Sequence, residues 1–159
     1  MLQILKDILS QIAGPSEAMT AEQTARQLQL ATAVLLVEVM RADPTLAASE
    51  HSAVLGALKA RFQLTPNQLE DLITLAQTTA QTAYDYQRFT SALNDHFTQP
   101  QKIGLVEAMW QVAYADAHLD ANENHVISKV AGLLHVTHGE YIAAKMRAKE
   151  TAPMAPTDH

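Results

Sequence analysis

Hydrophobic positions recur along this chain at the spacing of helix faces. Leu2, Leu5, Ile8, Leu9 and Ile12 share one face and predict a short amphipathic helix over residues 1–13, closed by Gly14-Pro15. A polar connector follows, and Thr20-Ala21-Glu22-Gln23 then has the form of a capping box, in which the Thr20 hydroxyl accepts from the Gln23 N–H and the Gln23 amide reaches back. From there the pattern predicts a long apolar helix to about Asp43, stopped by Pro44. A third helix starts near Ser49 and carries Val54, Leu55, Leu58 and Phe62. Thr65-Pro66-Asn67-Gln68 starts another, through Leu69, Leu72, Ile73 and Leu75 to about Thr82. After a shorter middle helix opened by Tyr84 to Phe89, Thr98-Gln99-Pro100-Gln101 begins a long helix through Ile103, Val106, Met109, Trp110 and Ala113. Val126, Ile127, Val130, Leu133 and Leu134 mark the next, and Thr137-His138-Gly139-Glu140 caps the last, whose end carries Lys145, Arg147 and Lys149, the sign that suits a helix C-terminus. The tail, 150–159, contains Pro153 and Pro156 and is expected to be disordered.

Part of this pattern occurs twice. Tyr114 to His125 fills the break between two apolar helices with polar, ligand-type residues, and 73 positions earlier Arg41 to Glu50 repeats its Ala, Asp, Leu and Glu at the same spacing. Leu64-Thr65 pairs with Val136-Thr137 at an offset of 72, one residue out of register. The expected organisation is an all-α, internally duplicated bundle of about seven to eight helices: the N-terminal helix, then a single domain over 20–149 with repeat units at about 28–82 and 99–148.

Composition narrows the function classes. At 159 residues the chain can bury a core without staples, and it has no cysteine, so disulfides and thiolate metal sites are excluded. Lys plus Arg number 11 against 17 Asp plus Glu, for a net charge of -6, and no basic cluster follows the chain. Nucleic acid is therefore not an expected partner. No apolar run approaches the roughly 18 to 20 residues that span a bilayer. Lys6 beside Asp7 gives the N-terminal helix no basic face, so membrane association, if any, is expected to be indirect, and the cytoplasm is the expected location.

The loop at 114–125 carries the chemistry. Asp120 and Glu123 fit a capping box, which explains both residues without any ligand. In the first unit Ala47 stands where Asp120 does in the second, so Ser49 is the better expected cap there. Asp43 and Asp116 each close a long helix, where the macrodipole disfavours a negative charge by about 0.3 to 1 kcal/mol. Two such violations at equivalent positions point to a constraint other than helix stability. Asp116, His118, Asp120 and Glu123 are the candidate cation ligands, with Asp43 and Glu50 their counterparts. Oxygen donors favour Ca²⁺, Mg²⁺ or Mn²⁺, and participation of His118 would admit Zn²⁺. The loop is not an EF-hand, which would need Gly at Ala121 and Glu at Ile127.

Leu105 to Asp116, the loop after it, Leu133-Leu134-His135-Val136 and Tyr141 to Lys145 resemble the TerB-like (tellurite-resistance protein B) family, and in particular its branch of small uncharacterised bacterial proteins. Leu36-Val37-Glu38-Val39, Arg41-Ala42-Asp43 and Arg88-Phe89-Thr90 extend the likeness over nearly the whole chain. The resemblance implies an all-helical, internally duplicated domain whose loop acids are proposed metal ligands, associated with tellurite and chemical-stress response; related domains occur in membrane-tethered DnaJ-type co-chaperones. Position by position, the family's acids fall on Asp116, Asp120 and Glu123, and on Asp43 and Glu50 in the first unit. The chain departs from the pattern at Ala117 and Pro44, where Gly is usual, at His118 and Asn124, where acids are usual, and at Ala47, usually Asp.

Trp110 and Tyr114, four apart on a helix, are expected to pack. Glu38 and Glu107 are expected on solvated faces, and His125, His135 and His138 have no spacing that demands a metal. Tyr84, Asp85 and Arg88 are candidates for a polar latch between the units. No nucleophile–base pair and no Gly-rich phosphate loop occurs, so an enzyme is not expected. The expected function is a non-enzymatic module that binds a divalent cation (Ca, Mg, Mn or Zn) through its acidic loop. The alternative is a metal-independent scaffold for an unidentified protein partner, at a membrane-associated or chaperone complex, with a homodimer also open.

Overall fold

The computed structural model describes residues 20–42, 48–82, 85–115 and 119–151. Seven α-helices run through them: α1 Ala21–Ala42, α2 Ala48–Arg61, α3 Pro66–Thr82, α4 Gln87–His96, α5 Gln99–Ala113, α6 Ala121–Leu133 and α7 His138–Glu150. There is no strand among the described residues. The expected all-α bundle is the fold; the N-terminal amphipathic helix and the tail beyond Thr151 lie outside the described residues.

The helix starts follow from their caps. Thr20 and Gln23 exchange backbone N–H bonds at 3.0 and 3.1 Å, and Thr65 with Gln68 does so at 2.8 and 3.2 Å. Thr98 with Gln101 and Thr137 with Glu140 complete reciprocal boxes at α5 and α7. Each box satisfies two of the orphan donors that a helix N-terminus exposes. At the end of α6 the chain stops in another way. His135 adopts φ 60°, its N–H donates to Gly132 O at 3.1 Å, and the Val136 N–H returns to Ala131 O at 3.0 Å. This is a Schellman arrangement with a histidine at the left-handed position that glycine favours.

The core sits around α1. Every residue from Leu30 to Val37 is buried, because α1 is packed on by α2, α3, α4, α5 and α6. A helix covered on all sides must be apolar nearly all round, and Ala31-Thr32-Ala33-Val34-Leu35-Leu36-Val37 carries Thr32 as its one polar side chain. In α5 the buried apolar set Leu105, Val106, Ala108, Met109, Trp110, Val112 and Ala113 falls, 73 residues back, on Thr32, Ala33, Leu35, Leu36, Val37, Val39 and Met40, all buried too. The packing is reciprocal as well: α1 lies against α3 and α6, while α5 lies against α7 and α2. The first two helices of each half thus clasp their counterparts, which brings the start of α2 beside the end of α5. No helix among the described residues is long and apolar enough to cross a membrane.

Candidate functional site

The second loop leaves α5 through Tyr114, whose N–H bonds Trp110 O at 2.9 Å, and Ala115, whose N–H bonds Val112 O at 3.1 Å. Trp110 is fully buried and underpins this exit: its ring stacks on Tyr114 at 5.9 Å, meets Tyr141 of α7 at 5.5 Å and lies beneath the Lys145 ammonium at 4.9 Å. Burial holds both tyrosine hydroxyls in their neutral form to higher pH than usual. The pair expected to pack does so.

The loop re-enters helix at Asp120. Its carboxylate accepts from the Asn122 N–H at 2.7 Å, and its own N–H donates to Glu123 Oε1 at 3.0 Å. The capping box read from the sequence is formed, and it draws the Asp120 and Glu123 side chains to one place. Asp120 is half-buried, whereas Glu123 is fully buried. The only other buried acid among the described residues is Glu50, at 0% exposure in the first turn of α2, the position 73 residues earlier. Burying a carboxylate costs several kcal/mol unless hydrogen bonds or opposite charge offset it, so two copies at one repeat position are a distinct feature of these loops.

Asp116, His118 and Asp43 lie outside the described residues, and among the described residues no group of three His, Cys, Asp or Glu side chains could hold a metal. The described donors, Asp120 and Glu123, are hard oxygen ligands that fit Ca²⁺, Mg²⁺ or Mn²⁺. A carboxylate has two oxygens, so an N–H bond to one does not exclude coordination by the other. In the first unit Ser49 falls inside the first turn of α2, not at the cap position expected for it, because the helix already begins at Ala48.

Two further clusters differ from the sequence reading. Glu107 is not simply solvated: Arg147 Nε of α7 reaches its Oε1 at 2.5 Å. Burial makes Arg61 less ready to hold its proton and nearby Glu107 partly offsets this, while the Arg61 guanidinium donates to Gly104 O. Glu38, only 14% exposed, accepts from Arg41 at 2.9 Å and from the Tyr86 hydroxyl; burial raises its pKa and those partners lower it. The Lys129 ammonium of α6 sits 5.5 Å from the centre of the Tyr86 ring. The latch between the halves is therefore Tyr86. Asp85 accepts from the Gln87 N–H at 3.0 Å as a local turn, Arg88 lies over Phe89 at 5.2 Å, and Tyr84 is outside the described residues. Contacts spanning 40 residues or more leave no local periodicity, although Glu38 and Glu107, each following Leu-Val on a buried helix, carried a hint.

No curated protein and no solved structure matches the chain. The family model described as tellurite resistance protein TerB matches residues 29–146, from the third turn of α1 into the last turns of α7 and across both loops. With that match over most of its length and this helical bundle beneath it, the chain belongs to the TerB family.

Proposed function

We propose that this chain is a non-enzymatic TerB-family module whose second loop takes a divalent cation, with Asp116, Asp120 and Glu123 as oxygen ligands and His118 as the residue that adjusts metal preference. The observation that carries the reading is the full burial of Glu123 beside Asp120, repeated at Glu50. A cation bound there would fix the α5–α6 loop and the surface around it. On this reading the module works in the cytoplasm as part of a chemical-stress response, presenting a cation-dependent surface to a protein partner.

A second reading has its own observation. The formed capping box engages both acids, so a scaffold whose loop acids only cap α6 would retain them as well. The two separate cleanly because Asn caps a helix about as well as Asp but carries no charge. Thermal melts of chelator-stripped protein, with and without Ca²⁺, Mg²⁺, Mn²⁺ or Zn²⁺, are compared with Asp116→Asn/Asp120→Asn. A cation at 100 times its dissociation constant stabilises by about 2.7 kcal/mol, a shift of several degrees for a domain of this size. A shift confined to the wild type supports the cation site. No shift with any of the four ions leaves the acids as caps and the chain as a scaffold.

A further inference from the structure

Among the described residues only two large apolar side chains are exposed, and both stand on α7: Ile142 at 39% and Met146 at 51%. Helix α3 is the internal control for α7. Its Thr65–Gln68 box and the Thr137–Glu140 box of α7 are the same device 72 positions apart, so the two helices share a register. In that register Ile142 and Met146 fall on Glu70 and Thr74, which are exposed as well. Conversely Ile73 and Leu75, buried in α3, fall on Lys145, which is half-buried, and Arg147, which is exposed. Packing explains the second exchange, because α3 lies against α1 and α2 whereas α7 packs closely on α5 alone. It does not explain the first. Positions 142 and 146 face solvent in both halves, so the chain's own core gives no reason for Ile and Met there.

These two side chains belong to a stripe. Gly139, Ile142, Ala143 and Met146 stand at i, i+3, i+4 and i+7, all exposed, which is the spacing by which one helix reads another. Nothing lies within 4 Å of where a side chain at Gly139 would begin, so the hollow beside Ile142 is open. At 3.6 residues per turn Lys145 and Lys149 border the stripe on one side and Arg147 on the other. Glu150 is the acid that shares this face, since Glu140 is turned toward Gln99 and the Thr137 N–H. In a chain of net charge -6, the stretch 145–149 is thus a local positive border around an apolar stripe.

We infer that this face of α7 docks an acidic amphipathic helix of a partner protein, its apolar stripe on Ile142 and Met146 and its carboxylates toward Lys145, Lys149 and Arg147. A second copy of this chain would set the same cations against one another. A lipid surface calls for a wider apolar face than two side chains supply. The docking does not depend on a cation in the loop. It is reported from inside the protein, because the Lys145 ammonium lies 4.9 Å from the centre of the ring of Trp110, the single tryptophan.

The test uses the full chain and synthetic, tryptophan-free helices of about 20 residues, with leucines at i, i+3, i+4 and i+7 and flanking positions that are all glutamate or all lysine. Trp110 emission and calorimetry follow the titrations. The glutamate-flanked helix is expected to bind at least about tenfold more tightly than the lysine-flanked one, and more weakly as salt rises. Ile142→Gln/Met146→Gln, which makes these exposed positions polar as in α3, should keep the fold by circular dichroism and weaken binding by about tenfold. Lys149→Glu should weaken it with the stripe intact. Equal affinity for the two helices, no binding of the glutamate-flanked helix, or unchanged binding by Ile142→Gln/Met146→Gln overturns the inference. So does binding only to vesicles of anionic phospholipid, or a dimer in sedimentation that the double variant abolishes.

Discussion

Arg147 Nε stands 2.5 Å from Glu107 Oε1, joining α7 to α5 across 40 residues of sequence. The pair is part-exposed, 49% and 28%, so in isolation it contributes no more than about 1 kcal/mol. Its weight comes from Arg61, a half-buried guanidinium on α2 whose charge Glu107 also offsets. Removing Glu107 leaves that partly desolvated charge less compensated.

Glu107→Gln is therefore expected to destabilise the fold by about 1 to 2 kcal/mol, more than Arg147→Gln does. Urea denaturation of the two variants measures this. Equal losses would show that only the exposed pair matters and that Arg61 draws nothing from Glu107.

His135 pays a conformational cost at φ 60° for ending α6. Glycine adopts that geometry freely, although it also gains entropy in the unfolded chain. His135→Gly is expected to stabilise by about 0.5 to 1 kcal/mol, raising Tm by roughly 2 to 3 °C for a chain of this size. A lower Tm would mean that the imidazole makes contacts worth more than the strain.

Five of the helix starts were legible because capping boxes act within four residues: Thr20, Thr65, Thr98, Asp120 and Thr137 all cap as their spacing implies. The duplication was legible for the same local reason, as a repeated order of residue types. The depth of Glu50 and Glu123 was not. Each stands among polar neighbours in a first turn, where an acid suits the helix dipole whether or not the fold covers it. Nor could periodicity show that Tyr86, and not Tyr84, bridges Glu38 and Lys129, since that depends on how α4 settles between α1 and α6.

Glu38 gives the pH profile a definite sign. Burial raises its folded-state pKa above the usual glutamate value despite Arg41 and Tyr86. Between the unfolded and folded pKa values the folded state holds more protons, so this group's contribution is favourable at low pH and is lost as pH rises through that window. Glu140 has the opposite sign: its bond from the Thr137 N–H, with help from Gln99, lowers its pKa, and its contribution is lost as pH falls through the folded value. Glu38→Gln should remove the decline with rising pH just above the glutamate range. Tyr86→Phe, which takes a donor from the charged carboxylate, should extend it to higher pH. Denaturation midpoints from pH 4 to 8 read both, and a wild-type profile identical to that of Glu38→Gln would refute the assignment.

Trp110 is the chain's single tryptophan, fully buried and stacked on Tyr114 two residues before Asp116. Any cation that fixes the loop draws on the backbone at Tyr114 and Ala115, and Trp110 emission is expected to respond. Asp120→Asn should abolish the response to Ca²⁺, Mg²⁺, Mn²⁺ or Zn²⁺ while changing the ion-free Tm little, because the cap is kept. Asp120→Ala should additionally cost about 1 kcal/mol through loss of the cap. A scaffold with capping acids only gives another pattern: emission insensitive to every ion in the wild type, with the same loss for Asp120→Ala. Trp110 titrations on the three proteins thus separate the charge of Asp120 from its hydrogen bond to Asn122, the one distinction on which the function of the loop turns.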